Sequence, residues 1–223
     1  MAQSISYLVD IVLCIDCTAS MRPVIRDVKS QALQFHSKII ARMAEKEKKI
    51  DQLRMRVIAF KDFWADADPI VAMPDFIDMA SDSDSFDGFV QPLEARGGGD
   101  DPESALEALA LAIHSPWQDA PQAKQRRIIV VWTDAPAHPL EKAVDAPPDN
   151  YPENMPGNLD ELTDAWEAMP VSGRRLLLYA PDVEPWNEIG STWEQTIHYP
   201  SEAGKGLEEH DMDTILEAIA NSI

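Results

Sequence analysis

Residues 11–20 read IVLCIDCTAS, an apolar run that ends on three oxygen-bearing side chains at alternate positions, Asp16, Thr18 and Ser20. A continuous apolar run is typical of a strand buried in a parallel sheet, and ligands of open α/β sheets bind just beyond the carboxyl ends of such strands. Carboxylate and hydroxyl oxygens suit magnesium, manganese or calcium better than zinc. Because Asp, Thr and Ser also cap helices, the pattern D-x-T-x-S is a weak signal by itself.

A second apolar strand ends in the same way. Residues 127–133 read RIIVVWT, and Asp134 follows them directly. This stretch is expected to form a central strand of the sheet. The carboxyl ends of parallel strands lie at one edge, so Asp134 can meet the oxygens of the first stretch there.

A glycine loop supplies the third stretch. Residues 97–99 are glycines, and Asp100, Asp101 and an apolar helix predicted over 104–114 follow them. Asp101 and the proline after it have the chemistry of a helix cap and a first turn, so we expect Asp101 to cap this helix. Asp100 is then available for the sheet edge. The candidate metal ligands are Asp16, Thr18, Ser20, Asp100 and Asp134.

Strands and helices alternate along the rest of the chain. Further strands are expected over residues 53–60, 70–73, 175–180 and 196–199, and helices after Ser20, over 81–90 and 159–169, and at the carboxyl end, where Met212, Ile215, Leu216 and Ile219 share one face. The alternation predicts an α/β fold, a doubly wound and mostly parallel central sheet with helices on both faces. We see no repeat and no linker, so a single domain over residues 1–223 is expected.

The charge balance argues against several classes of partner. The chain carries 19 Lys and Arg against 39 Asp and Glu, a net charge of −20. Such a chain is not expected to bind nucleic acid or an anionic membrane through bulk electrostatics. The first strand lacks the basic start and small-residue cleavage site of a signal peptide, and no apolar stretch has membrane-spanning length. These features predict a cytoplasmic protein.

The two cysteines, Cys14 and Cys17, have the C-x-x-C spacing of redox pairs. Redox pairs lie at helix N-termini, whereas Cys14 falls inside a predicted strand. Strand residues three apart also face opposite ways. Buried thiols are therefore expected instead of a redox pair.

The three stretches, in this order, resemble the von Willebrand factor A domain family. That family carries D-x-S/T-x-S after its first strand, a Thr or Asp in a second loop and an Asp after a central strand. The resemblance is closer to the subgroup found beside alpha-kinase domains and in related bacterial proteins. It rests on the blocks DCTASM, KDFWADAD, GGGDDPE, TDAPAH and DNYPENMPGNLDEL, which reach from the first strand to about Leu162.

The resemblance implies a divalent cation, Mg²⁺ or else Mn²⁺ or Ca²⁺, held by an incomplete protein shell. A Glu or Asp of a protein partner often fills the open position in that family, and family analogy links such modules to kinases, phosphatases or remodelling ATPases. Asp100 stands where adhesive members usually have Thr. A third carboxylate neutralises the cation more completely, so we expect a weaker hold on an acidic partner side chain.

Two other functions stay open at this point. A phosphatase of the haloacid dehalogenase type also places an Asp after its first strand, but it needs a second Asp two residues later, where this chain has Thr18. No nucleophile and base pair is visible, so we do not expect an enzyme. The five candidate ligands could also serve only as caps and turn formers in a structural scaffold whose site is empty.

Overall fold

The computed structural model describes residues 6–99, 101–120, 122–144, 146–201, 217–218 and residue 221. The strands are β1 Ser6–Asp16, β2 Lys49–Phe60, β3 Ile70–Ala72, β4 Ile77–Asp78, β5 Lys124–Trp132, β6 Arg174–Pro181 and β7 Thr196–Ser201. The α-helices are α1 Arg22–Glu45, α2 Ser83–Val90, α3 Ala105–Ile113, α4 Leu159–Ala168 and α5 Trp186–Thr192, with 3₁₀ turns at Ala19–Met21 and Leu140–Ala143.

The strands form one mixed sheet in the order β3-β2-β1-β5-β6-β7, with β4 also paired to β2. The pairs β1–β2, β1–β5, β5–β6 and β6–β7 are parallel, and the short β3 and β4 run antiparallel to β2. The predicted α/β fold with a mostly parallel sheet is therefore confirmed. The chain winds outward from β1 to β2 and then returns to the other side of β1 at β5. The strand order thus reverses between β1 and β5, where open sheets leave a crevice.

The two faces of the sheet carry separate cores because successive side chains of β1 point in opposite directions. Ile11 and Leu13 belong to the core beneath α1 and α2, whereas Val12 and Cys14 belong to the core beneath α3, α4 and α5. All four are at most 2% exposed. Fully burying a side chain such as Ile or Leu contributes about 1.5–3 kcal/mol, so these runs fix β1 at the centre.

Both cysteines are buried and neither forms a disulfide, as the sequence predicts. The Cys14 thiol donates to the carbonyl oxygen of Ala108 on α3, with 3.6 Å between sulfur and oxygen. Burial raises the pKa of Cys14 well above its usual range. A neutral thiol packed against a helix is a poor nucleophile, which agrees with a structural role.

The predicted cap of α3 is wrong. The N-cap residue is Ser104 instead of Asp101, and the helix begins at Ala105. The reason is that long-range pairing holds the preceding backbone extended. Glu103 forms a parallel bridge with Ala137, and the Ser104 amide donates to the carbonyl oxygen of Lys61 at 3.0 Å. Because Glu103 and Ser104 are paired in this way, they cannot form a first helical turn, and the helix begins only at Ala105.

A cluster of cations lies at the amino ends of the strands, opposite the crevice. Lys48, Lys124 and Arg126 surround the ring of Tyr7, at 6.0, 5.9 and 5.1 Å from its centroid. Tyr7 is near the start of β1 and pairs in register with Lys124, the first residue of β5. The cations of this acidic chain are thus partly concentrated at one end of the sheet.

The predicted carboxyl-terminal helix carrying Met212, Ile215, Leu216 and Ile219 lies outside the described residues. Within the described ranges, no helix has the length and apolar character needed to cross a membrane. The cytoplasmic location stays a prediction of the sequence.

Candidate metal centre

The crevice between β1 and β5 brings two acidic loops together. Asp16 is the last residue of β1, and Thr133 and Asp134 directly follow β5. Because Ile15 and Trp132 are in register, Asp16 and Thr133 lie side by side. The Thr133 hydroxyl donates to Oδ2 of Asp16 at 2.7 Å. The parallel pairing of the two central strands therefore fixes one side of the Asp16 carboxylate.

A chain of hydrogen bonds connects the oxygens of the first loop to Asp134. The amide and the hydroxyl of Thr18 both donate to Oδ1 of Asp16, at 2.8 and 2.6 Å. The hydroxyl oxygens of Thr18 and Ser20 are 3.2 Å apart, and the Ser20 hydroxyl donates to Oδ1 of Asp134 at 2.9 Å. Four of the five predicted ligands are thus brought together. Asp16, Thr18 and Asp134 are buried and Ser20 is exposed, so the cluster opens to solvent at Ser20.

Keeping the carboxylates of this cluster charged is energetically unfavourable in the absence of a cation. Burial, and more weakly the charge of Asp134, raises the pKa of Asp16 to about 6, although the hydrogen bonds from Thr18 and Thr133 oppose this shift. A cation between the two carboxylates would remove their repulsion, and carboxylate and hydroxyl oxygens are the ligands that Mg²⁺ and Ca²⁺ prefer. The donor set therefore fits a hard divalent cation.

Within the described ranges, no three His, Cys, Asp or Glu side chains are grouped so that they could hold a metal ion by themselves. A cation at this edge would therefore depend on the hydroxyls of Thr18 and Ser20 and on water. Magnesium usually keeps several of its waters, so such a mixed shell suits it.

The glycine loop packs directly against the first loop. The Arg96 amide donates to the carbonyl oxygen of Cys17 at 2.9 Å, and the Ala19 amide donates to that of Gly97 at 3.2 Å. Gly97 and Gly98 have φ values of +76° and +73°, in the left-handed region that favours glycine. Asp100, the fifth predicted ligand, lies outside the described residues, and its place in the cluster stays a prediction.

Replacing Gly98 with Ala is expected to destabilise the fold by about 1–3 kcal/mol. An added Cβ would lie 2.7 Å from Oε1 of Glu103 and 3.0 Å from Cβ of Thr18, at a φ that L residues rarely adopt. Chemical denaturation measures this loss. Gly88→Ala is the matched control, because its added Cβ meets nothing within 4 Å on α2 and alanine favours helices. Equal unfolding free energies for the Gly98 variant and the wild type would contradict the argument.

A second group of acids lies behind the glycine loop, where no sequence pattern predicts it. The Gly98 amide donates to Oδ2 of Asp66 at 2.9 Å, and the Trp64 amide donates to Oδ1 of Asp62 at 3.0 Å. Glu103 is 4% exposed. Burial first, and then Asp16, Asp62 and Asp66, raise the pKa of Glu103 to about 9. The acids of KDFWADAD and GGGDDPE were visible in the sequence, but only the fold brings the two segments together.

Aromatic rings and a lysine join two loops beside these acids. The Lys142 ammonium lies 3.9 Å from the ring centroid of Trp64, and the rings of Trp64 and His138 meet edge to face at 4.8 Å. His138 is buried, and its Nε2 is 3.3 Å from Oδ1 of Asp62. Burial lowers the pKa of His138 despite that carboxylate. Lys142 and His138 therefore pack onto the loop that carries the second acidic group.

Another buried acid lies on α3, one turn beyond Glu103. The Tyr151 hydroxyl donates to Oε1 of Glu107 at 3.0 Å, which ties the loop of residues 146–158 to the helix. Glu107 is fully buried, and burial raises its pKa to about 7. Glu107 faces Tyr151 instead of the cluster of Asp16. It can therefore serve as a control for substitutions of the acids in that cluster.

Comparisons with known proteins agree with the fold. A family model described as von Willebrand factor A domain matches residues 10–145, which supports a protein-interaction module. Comparison with curated proteins finds no match. The chain is similar to the crystal structure of the pilus adhesin SpaC from Lactobacillus rhamnosus GG, with a TM-score of 0.56 and 11% identity. The similarity covers 96% of this chain but 30% of the adhesin, and at that identity it concerns the fold alone.

Proposed function

Because the chain belongs to the von Willebrand factor A domain family, we propose that it is a metal-ion-dependent module that binds a protein partner. The observation that carries the proposal is the hydrogen-bonded chain from Asp16 through Thr18 and Ser20 to Asp134. It gathers two carboxylates and two hydroxyls at the point where the strand order reverses. These residues, with Asp100, would hold Mg²⁺ or else Mn²⁺ or Ca²⁺.

The exposed edge of the cluster is where a partner would bind. Ser20 is exposed, whereas Asp16, Thr18 and Asp134 are buried, so a protein group would approach from the side of Ser20. An acidic side chain of the partner is the group that would complete the shell of a bound cation. By family analogy alone, the partner belongs to a system with protein kinases, phosphatases or remodelling ATPases. Nucleic acid and membrane lipid are not proposed as partners.

Affinity capture with and without a chelator tests the proposal. The full chain is immobilised and exposed to cell extract in the presence of magnesium, and the bound proteins are eluted with a chelator. We expect the same partner to be released by the chelator and to be missing from an Asp16→Asn column. Proteins that bind equally to both columns and ignore the chelator would favour a structural scaffold.

No hydrolysis of phosphate esters is expected. Thr18 occupies the position where a phosphatase of the haloacid dehalogenase type has its second Asp, and its hydroxyl is already donated to Asp16. If the protein hydrolysed a generic phosphate ester in a metal-dependent way, and Asp16→Asn abolished this activity, the result would favour an enzyme over an interaction module.

A further inference from the structure

Glu103 is a buried acid outside the family's metal-binding pattern. The residue is 4% exposed, and its Oε2 is enclosed and has no hydrogen-bond partner among the described residues. Burying a carboxyl oxygen without a partner is unfavourable, and native proteins rarely tolerate it without a functional reason. The unsatisfied oxygen therefore indicates that a ligand or water belongs beside it.

The backbone holds Glu103 firmly between the loops of the site. Its amide donates to the carbonyl oxygen of Pro136 at 2.9 Å, and the His138 amide donates to the carbonyl oxygen of Glu103, also at 2.9 Å. Both partners lie in the loop that begins at Asp134. Glu103 thus cannot move to solvent without breaking the pairing that connects α3 to that loop.

The side chain of Glu103 reaches the inner side of the glycine loop, next to Thr18. A Cβ added to Gly98 would lie 2.7 Å from Oε1 of Glu103 and 3.0 Å from Cβ of Thr18, so both side chains border the same small space. The Thr18 hydroxyl is bonded to Asp16. Glu103 is therefore a direct neighbour of the loop that supplies the first candidate ligands.

Two other acids beside Glu103, Asp62 and Asp66, have protein partners. Asp66 accepts from the Gly98 amide, and its Oδ1 is 3.9 Å from the Lys61 ammonium. Asp62 accepts from the Trp64 amide and contacts His138. Glu103 has no comparable donor among the described side chains, although it is more buried than most acids of this chain. What it lacks is a source of positive charge or of water protons.

We propose that Glu103 is an additional acid of the cation site, which is ionised when a cation is bound nearby and then accepts hydrogen bonds from water bound to the ion. This inference rests on the proposed metal-dependent function. It differs from the family pattern because the acid comes from the extended segment just before α3 instead of the positions that carry the direct ligands. Outer partners of this kind orient bound water and raise metal affinity.

Calorimetric titration of the purified full chain with Mg²⁺ and Mn²⁺ tests the role of Glu103. We expect Glu103→Gln to lower the affinity about tenfold or more, as is typical when an outer partner of a metal site is removed. Glu103→Asp keeps the charge on a shorter side chain, so its affinity is expected to lie between those of the wild type and Glu103→Gln. Glu107→Gln is the matched control, because Glu107 is a buried acid four residues further along the chain that faces Tyr151, and the variant should bind like the wild type.

The outcomes separate this inference from the function on which it rests. Wild-type protein that binds neither metal would overturn both. Wild-type protein that binds metal, with equal affinity in Glu103→Gln, would overturn only the role of Glu103, even if the metal-free melting temperature changed. If Glu103→Gln does not fold, Glu103→Asp decides the matter, because wild-type affinity in that variant would show that the position of the carboxylate has no effect on the ion.

Discussion

Asp16→Asn is expected to abolish the stabilisation that magnesium or manganese gives to the wild-type protein. A ligand that binds only the folded state stabilises it by about 2.7 kcal/mol at a concentration 100 times its dissociation constant. For a chain of this size that corresponds to a rise of about 5–10 °C in melting temperature. Asp16 is central to the cluster because it accepts hydrogen bonds from both Thr18 and Thr133. Thermal unfolding over a series of metal concentrations measures the effect.

The Asn variant is preferable to Ala because the amide keeps the shape of the side chain and one acceptor oxygen. Burial already raises the pKa of Asp16 to about 6, so a neutral group at this position is compatible with the metal-free fold. Glu107→Gln is the control and should keep the full metal-dependent increment, since Glu107 is bonded to Tyr151. A wild-type melting temperature that does not change with metal, or an equal increment in Asp16→Asn, would refute the metal centre.

The second large effect concerns pH. Burial, and more weakly the charge of Asp62, raises the pKa of Glu107 from 4.5 to about 7 in the folded state, while the hydrogen bond from Tyr151 and the charge of Lys142 oppose this shift. The folded protein therefore binds the proton more tightly than the unfolded chain does. The contribution of Glu107 to stability is fully present below about pH 4.5, decreases as the pH rises to about 7 and is constant above that.

Glu107→Gln removes this pH dependence while keeping an acceptor for the Tyr151 hydroxyl. Relative to the wild type, the variant is expected to become more stable between pH 4.5 and pH 8, by roughly 3 kcal/mol in total. Urea unfolding at several pH values measures the difference in unfolding free energy. Glu94→Gln is the control, because the Glu94 side chain is 66% exposed and should not alter the profile. Parallel profiles for Glu107→Gln and the wild type would contradict the assignment.

The sheet and the meeting of Asp16 with Asp134 could be predicted because the sequence patterns that indicate them are local. The apolar run that ends at Asp16 and the one that ends at Thr133 are continuous in sequence, and strand-end geometry then brings Asp16 and Asp134 together. The short edge strand β3 and the helix α2 were also predicted, since turn residues and apolar residues mark them within a few positions.

The start of α3 and the role of Glu103 could not be predicted in this way. Residues 100–104 have good capping chemistry, but pairing of Glu103 with Ala137 and of Ser104 with Lys61 overrides it. Those partners are more than 30 positions away in sequence, so no local pattern reports them. The same holds for Trp64 and Lys142, whose cation–π contact joins two loops that sequence patterns describe only as irregular.

The cations around Tyr7 make the charge distribution of the molecule uneven from one end of the sheet to the other. With a net charge of −20, the acids dominate at long range, yet Lys48, Lys124 and Arg126 are concentrated at the end of the sheet opposite the crevice. A partner whose surface is acidic overall is repelled as it approaches the crevice, whereas one with a basic surface around a single acidic side chain is steered towards it. Since salt at physiological strength screens charges beyond about 8 Å, raising the ionic strength speeds the encounter with the first kind of partner and slows the encounter with the second.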